Sequence, residues 1–153
     1  KHSNHNTKGA NTWTGKVKEL KEMKLREQEV NAFDIGTSQG MLQVAVCGPD
    51  GNPIAVHVMD GAFLVSFDVA TKKAYTSVAV KMSTKELSVL AQPGGTFYGV
   101  DKMDNGKIVI FGGGVPLKVG DTIIGGLGIS GGTGEEDHSL AEYGLSILPE
   151  LLS

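Results

Sequence analysis

The densest run of metal-ligand side chains in the sequence is Glu135-Glu136-Asp137-His138. Carboxylate and imidazole are donors that hold first-row metals. The run opens a helix, where adjacent side chains point about 100° apart and do not converge. A metal there needs a partner from elsewhere in the chain, and the plain role of three acids at a helix start is capping and solvation. The metal assignment stays open. His57 and Met59 form a second pair, two residues apart on one strand face. Imidazole and thioether are both axial ligands of haem iron, and the plain alternative is a buried histidine beside a packing methionine. His2 and His5 are a third pair, in a polar terminus.

Almost half of the 22 glycines fall between Phe111 and Asp137. Gly126, Gly128 and Gly131 make a literal G-x-G-x-x-G after a strand and before a helix. A dinucleotide site needs a β-α-β unit with an acid on the following strand. Only 22 residues follow Gly131, enough for one helix and a tail. The three carboxylates of the helix start also repel a phosphate. Ser130 lies in Gly128-Ile-Ser-Gly-Gly132, a match to G-x-S-x-G, but the parallel hydrolase sheet that would present a nucleophile is missing from the pattern. No catalytic residue is assigned. The turn into the last helix predicts positive φ at Gly131 or Gly132.

These groups need elements to position them. Lys1 to Thr12 is polar and reads as a disordered tail, with residues 1–13 outside the folded unit and 14–153 a single domain. Thr14 to Phe33 has helical composition and a thin apolar stripe. Met41 to Asp60 reads as a hairpin about Pro49-Asp50-Gly51-Asn52, with a type I′ turn. Leu42, Val44 and Val46 share one face of it; Ala45, Cys47, His57 and Met59 are read together on the other. Ser66 to Lys81 is a helix, with Phe67, Ala70, Ala74 and Val78 inward and Lys72, Lys73 and Thr76 outward. Ser83 to Glu86 caps a short helix ending at Ala91. Phe97 to Met103 and Lys107 to Phe111 read as a second hairpin about Asn105-Gly106, Thr122 to Ile129 as a fifth strand, and Gly134 to Leu148 as the last helix, with Thr133 and Glu136 as its capping box. The fold class is therefore α+β, a five-stranded antiparallel sheet with flanking helices in the order α-β-β-α-β-β-β-α.

The chain of 153 residues is 40% hydrophobic and 20% charged, with net charge −3. That is the composition of one globular domain without a basic face, so nucleic acid is not an expected partner. No apolar run reaches the ~18 residues of a membrane span, and no membrane partner is expected. A cytoplasmic location is the expectation; the chain begins at Lys1, and a removed leader would make it a secreted one. The single Cys47 forms no intrachain disulfide. Both sheet faces are apolar and the helices to cover them are few, which predicts a homo-oligomer.

Three motifs resemble a known family: the GlcG-like proteins, the haem-binding HbpS-like proteins and the C-terminal domain of PduO-type corrinoid adenosyltransferases. They are Met59-Asp60-Gly61-Ala62; Asp68-Val-Ala70 with Lys73-Ala74 and Thr84-Lys-Glu-Leu87; and Gly113-Gly114-Val-Pro116, Gly120, Ile124-Gly125 and Gly128-Ile-Ser130-Gly131-Gly132 with Asp137. The resemblance covers roughly Met41 to Leu148. It departs from the family at Val58, where an arginine is usual, and in a first helix without histidine. It implies a profilin-like fold, an oligomer, and a small-molecule ligand with haem as the leading cofactor. The alternative it implies is an enzyme or accessory domain in haem degradation or corrinoid (cobalamin) metabolism. Candidate cofactor-binding residues are then His138, His57 and Met59, with Gly131 and Gly132 in the turn beside His138. His138 is favoured as donor, because a mid-strand His57 is expected to be closed in while the start of the last helix is expected to be open.

Overall fold

The computed structural model describes residues 42–153. The tail and the first helix expected at Thr14 to Phe33 lie outside the described residues. Runs rich in Val and Ala, with Ile54 in the second, form β1 (Gln43–Cys47) and β2 (Pro53–Val58), an antiparallel hairpin as expected. Its turn differs from type I′. Gly51 takes φ +80° but Asp50 does not turn positive. Gly51 N–H closes onto Gly48 O at 3.0 Å, and Asp50 Oδ1 accepts from Asn52 N–H at 3.0 Å. The aspartate side chain thus braces the turn, and the register slips between Val46 and Cys47.

Helix α1 (Leu64–Ala79) and helix α2 (Thr84–Leu90) follow. Ser83 and Glu86 form the full capping box that starts α2. The hairpin expected at Phe97 to Phe111 is absent. Residues 97–106 form turns instead, with short 3-10 turns at Val100–Lys102 and Asp104–Gly106. Asn105-Gly106 is a real turn signal, with φ +54° and +72°, but Asp104 is also positive at +51°, and three such residues in a row form a tight coil, not a strand reversal. The segment after it is held to α1 by a side chain: Thr76 Oγ1 accepts from Val109 N–H at 3.0 Å.

The remaining strands are β3 (Gly114–Val119) and β4 (Thr122–Ser130), and α3 (Gly134–Leu152) closes the fold. β3 falls where the sequence reads as turn and loop. Among the described residues the sheet has four strands, antiparallel, in the order β2-β1-β4-β3, and the element order is β-β-α-α-β-β-α. The two strands expected at Phe97 to Phe111 are corrected, and five strands are not found among the described residues; α+β and antiparallel stand. Pro116 is tolerated because β3 is an edge strand among the described residues. α3 runs past Leu148 to Leu152 although Pro149 removes one backbone bond, because Leu152 still packs on the core.

The two sheet faces are built differently. Leu42, Val44, Val46, Val115, Leu117, Leu127 and Ile129 pack under Leu140, Ala141 and Leu148 of α3. The other face is small: Ala45 and Cys47 meet Ala70 and Ala74 of α1. Here the glycine fingerprint finds its use. A Cβ on Gly128 would lie 2.0 Å from Ala70 O, and one on Gly126 would lie 2.4 Å from Ala74 O. These two positions are bare so that the backbone of α1 can lie directly on β4.

The buried side of α1 is Ser66, Ala70, Lys73, Ala74, Thr76 and Ser77, while Phe67 is half exposed. That reverses the expected placement of Phe67, Lys73 and Thr76. Where the helix crosses Gly126 and Gly128 it presents Ala70 and Ala74, since a larger side chain finds no room there.

Candidate functional site

Helix α3 begins on its capping box: Thr133 Oγ1 accepts from Glu136 N–H, and Glu136 Oε2 accepts from Thr133 N–H at 2.8 Å. The four side chains of the run from Glu135 then go separate ways, as their angular spacing requires. Glu135 pairs with Lys85 at 2.9 Å, and that hydrogen bond and charge hold its carboxyl below the usual range. Among the described residues no three His, Cys, Asp or Glu side chains group to hold a metal.

Asp137 turns inward, contrary to a role in solvated capping. Its Oδ2 lies 2.8 Å from Lys73 Nζ, with side-chain exposures of 2% and 0%. Lys73 also donates to Ile129 O at 2.8 Å, and its ammonium lies 4.9 Å from the centre of the Phe111 ring. Asp137 Oδ1 accepts from Gly132 N–H at 2.9 Å. Burial pulls the Lys73 pKa down, and the Asp137 charge opposes that pull. Gly113, at φ +122°, passes where a Cβ would stand 2.7 Å from Lys73 Nζ. One buried ion pair therefore ties α1, β4 and the first turn of α3 together. Gly131, at φ +150°, has the positive φ expected of this turn, and Gly132 supplies the backbone donor.

His138 follows Asp137 and lines a cleft of about 510 Å³ along the outer edge of β3, between α2 and α3. Val89, Val115, Pro116 and Leu145 make its apolar walls, and Lys85, Glu86, Lys118 and Glu142 its charged ones. His138 is itself buried, with Nε2 3.2 Å from Glu142 Oε1 and Nδ1 without a partner among the described residues. Its Cβ lies 3.1 Å from where a Gly112 Cβ would stand. An adjoining hollow of about 440 Å³ shares Pro116, Lys118 and Leu145 and is closed by Leu148, Pro149 and Leu152.

His57 lies elsewhere. It pairs with Val44, so it shares the α3 face of the sheet and not the Ala45 and Cys47 face expected for it. It is only half buried, because β2 is an edge strand among the described residues. Exposure is thus the reverse of expectation: His57 is the more open ring and His138 the more enclosed. Met59 packs against the same core. His57 and His138 stand at opposite edges of the sheet, three strand spacings or roughly 14 Å apart, and do not converge on one ion. Cys47 is buried, and desolvation pushes its thiol up to about 11, so it offers no thiolate near neutral pH. Sequence reasoning missed Glu142 and Lys73. Glu142 was legible as the i+4 neighbour of His138; Lys73 was legible from lying beside Ala74 and three residues from Ala70.

The cleft offers an imidazole, four apolar side chains and Lys118 as groups of the kind that would meet the iron, the flat ring and an acidic side chain of a tetrapyrrole. They stand beside Glu86, Glu142 and a Lys85 already paired with Glu135.

A family model described as haem-degrading HbpS-like proteins matches residues 34–146. The corrinoid adenosyltransferase PduO of Salmonella typhimurium is 42% identical over 105 residues, 69% of this chain and 31% of that protein. The chain thus matches about a third of the length of that relative. Among solved structures, protein ORFY of Klebsiella pneumoniae aligns with TM-score 0.80 at 28% identity, over 90% of each chain. PduOC in complex with haem aligns with TM-score 0.67 at 37% identity, over 78% of this chain and 88% of that one.

Proposed function

The chain belongs to the HbpS-like family, and from that membership we propose that it is a small-cofactor-binding module, with haem the leading ligand, working as a homo-oligomer. The observation that carries this reading is the His138 cleft, in a fold shared at 37% identity with a protein crystallised with haem. His138 supplies the iron donor through Nε2, the ring nitrogen turned toward Glu142. Val89, Val115, Pro116 and Leu145 exclude water from the ring faces, and Lys118 meets a ligand carboxylate. Gly131 and Gly132 act by shaping the turn that sets α3. His57 and Met59 are the competing donors, on the opposite edge.

The test is hemin titration of the full chain with His2→Ala and His5→Ala, adding His138→Ala or His57→Ala. Loss of the Soret shift with His138→Ala alone is the expected result. A Soret band unchanged by His138→Ala rules the donor out. The likeness to a corrinoid adenosyltransferase favours a second reading, an enzyme or accessory domain in corrinoid chemistry or haem degradation. A spectral shift of added cobalamin, or product formed from bound haem, selects it.

A further inference from the structure

The charges along the cleft do not balance. Glu86 and Glu142 bring two carboxylates, and Lys85 and Lys118 two ammonium groups. Lys85 is held at 2.9 Å by Glu135, which does not line the cleft. Lys118 forms no ion pair among the described residues. Glu86 is kept at the start of α2, where its Oε2 accepts from Ser83 N–H at 2.8 Å and from the Ser83 hydroxyl at 2.9 Å. Glu142 is 65% exposed on α3. One free cation therefore shares the cleft with two acids. Lys118 also stands at a junction, lining both the cleft and the adjoining hollow together with Pro116 and Leu145. The pairing of β3 with β4 shifts register between Leu117 and Lys118, and such breaks re-aim a side chain. Leu117 stays in the core, while Lys118 is exposed at the groove.

We infer that Lys118 sets the specificity of this groove: it receives one carboxylate of the ligand and the groove has no place for a second, so a flat macrocycle bearing one acid is preferred to one bearing two. The inference rests on the tetrapyrrole reading above. A carboxylate set on Lys118 gains a charge-assisted hydrogen bond. A second acid laid along the α2 or α3 wall meets Glu86 or Glu142, and like charges repel. An ester or amide in that place carries no charge and escapes the repulsion. Lys118 and Glu142 are both exposed, so water and salt screen these charges and the preference is several-fold, not larger.

The experiment takes the full chain with His2→Ala and His5→Ala as parent. Hemin, its monomethyl ester and its dimethyl ester are titrated in at low salt, following the Soret band. The monomethyl ester is expected to bind tightest, with hemin about threefold weaker and the dimethyl ester about threefold to tenfold weaker. Lys118→Ala is expected to erase the advantage of the monomethyl over the dimethyl ester, and Lys118→Arg to keep it. Glu86→Gln/Glu142→Gln, in which glutamine can still serve the α2 cap, is expected to bring hemin level with the monomethyl ester. Hemin that binds the parent as tightly as its monomethyl ester overturns the inference. So does a Lys118→Ala protein that still prefers the monomethyl to the dimethyl ester, and so does hemin that stays weaker in Glu86→Gln/Glu142→Gln. If no member of the series binds the parent, the tetrapyrrole reading falls and the inference with it. If all three bind alike, that reading stands and the inference alone falls.

Discussion

Lys73 and Asp137 carry opposite charges in a place with almost no water, and each is answered twice. Lys73 meets Asp137 Oδ2 and Ile129 O, and Asp137 Oδ1 meets Gly132 N–H. A pair of this kind stabilises little relative to an apolar pair of the same shape, but losing one member strands the other. Lys73→Met is therefore expected to cost about 3–5 kcal/mol in urea unfolding. Lys73→Met/Asp137→Leu is expected to recover most of that loss. A single variant as stable as the wild type would show that the charge on Asp137 is relieved by some other route. Neither residue stood out by type, because lysine and aspartate are normally surface residues. Only their places betray them: Lys73 among the alanines of α1, and Asp137 one step past the capping glutamate.

At the scale of elements, the sheet and its helices divide into a greasy face and a bare one. The greasy face was legible, since Leu42, Val44 and Val46 alternate and Leu140, Ala141 and Leu148 recur at helical spacing. The bare face was not, because glycines in a strand carry no pattern of their own and Gly126 to Gly131 imitates a nucleotide fingerprint. The same poverty of side chains hid β3 behind Gly112 to Gly114, and turn residues made a coil at Asp104 to Gly106 look like a hairpin. The cleft was half legible: His138 could be picked by type, but its walls come from α2, β3 and α3, distant in sequence. If Gly128 is bare so that α1 can lie on β4, Gly128→Ala must push the helix off. The expected cost is about 1–3 kcal/mol, read as a lowered thermal midpoint. An unchanged midpoint would mean that α1 shifts freely. The short helix α2 depends on its start in the same way. Ser83→Ala is expected to cost about 1 kcal/mol near neutral pH. Hydrogen bonds from Ser83 hold the Glu86 pKa below its ordinary value. The stability this gives is present above the unfolded value of about 4.3 and is lost as pH falls through the folded one. The gap between wild type and Ser83→Ala in denaturant titrations is therefore expected to narrow below about pH 4, and a gap constant down to pH 3 would count against a charged cap.

At the scale of the whole molecule, the described residues leave an apolar patch exposed. Phe63, Leu64, Val65 and Phe67 surround the first turn of α1, and all are more than half exposed, Leu64 at 97%. Val58, at the end of β2, adds to them at 52%. Gln43 Nε2 donates to Phe63 O at 3.1 Å, so the patch is anchored beside β1, while the His138 cleft lies beyond β3 at the other edge of the sheet. Under the proposed homo-oligomer, apolar side chains clustered in this way are the surface a second copy would cover. Self-association is the simplest way to cover it, since every copy carries the same patch and a two-fold interface sets it against itself. Sedimentation at micromolar concentration is expected to give a mass well above the 16.0 kDa of one chain. Leu64→Asp/Phe67→Asp is expected to move the distribution toward the monomer while leaving hemin affinity within about twofold, because the cleft draws none of its walls from this end. A wild-type protein that sediments as a 16.0 kDa monomer would end the oligomer reading. A double variant that stays assembled would move the interface to another surface, and one that dissociates and loses hemin together would mean that the cleft is completed by a second copy.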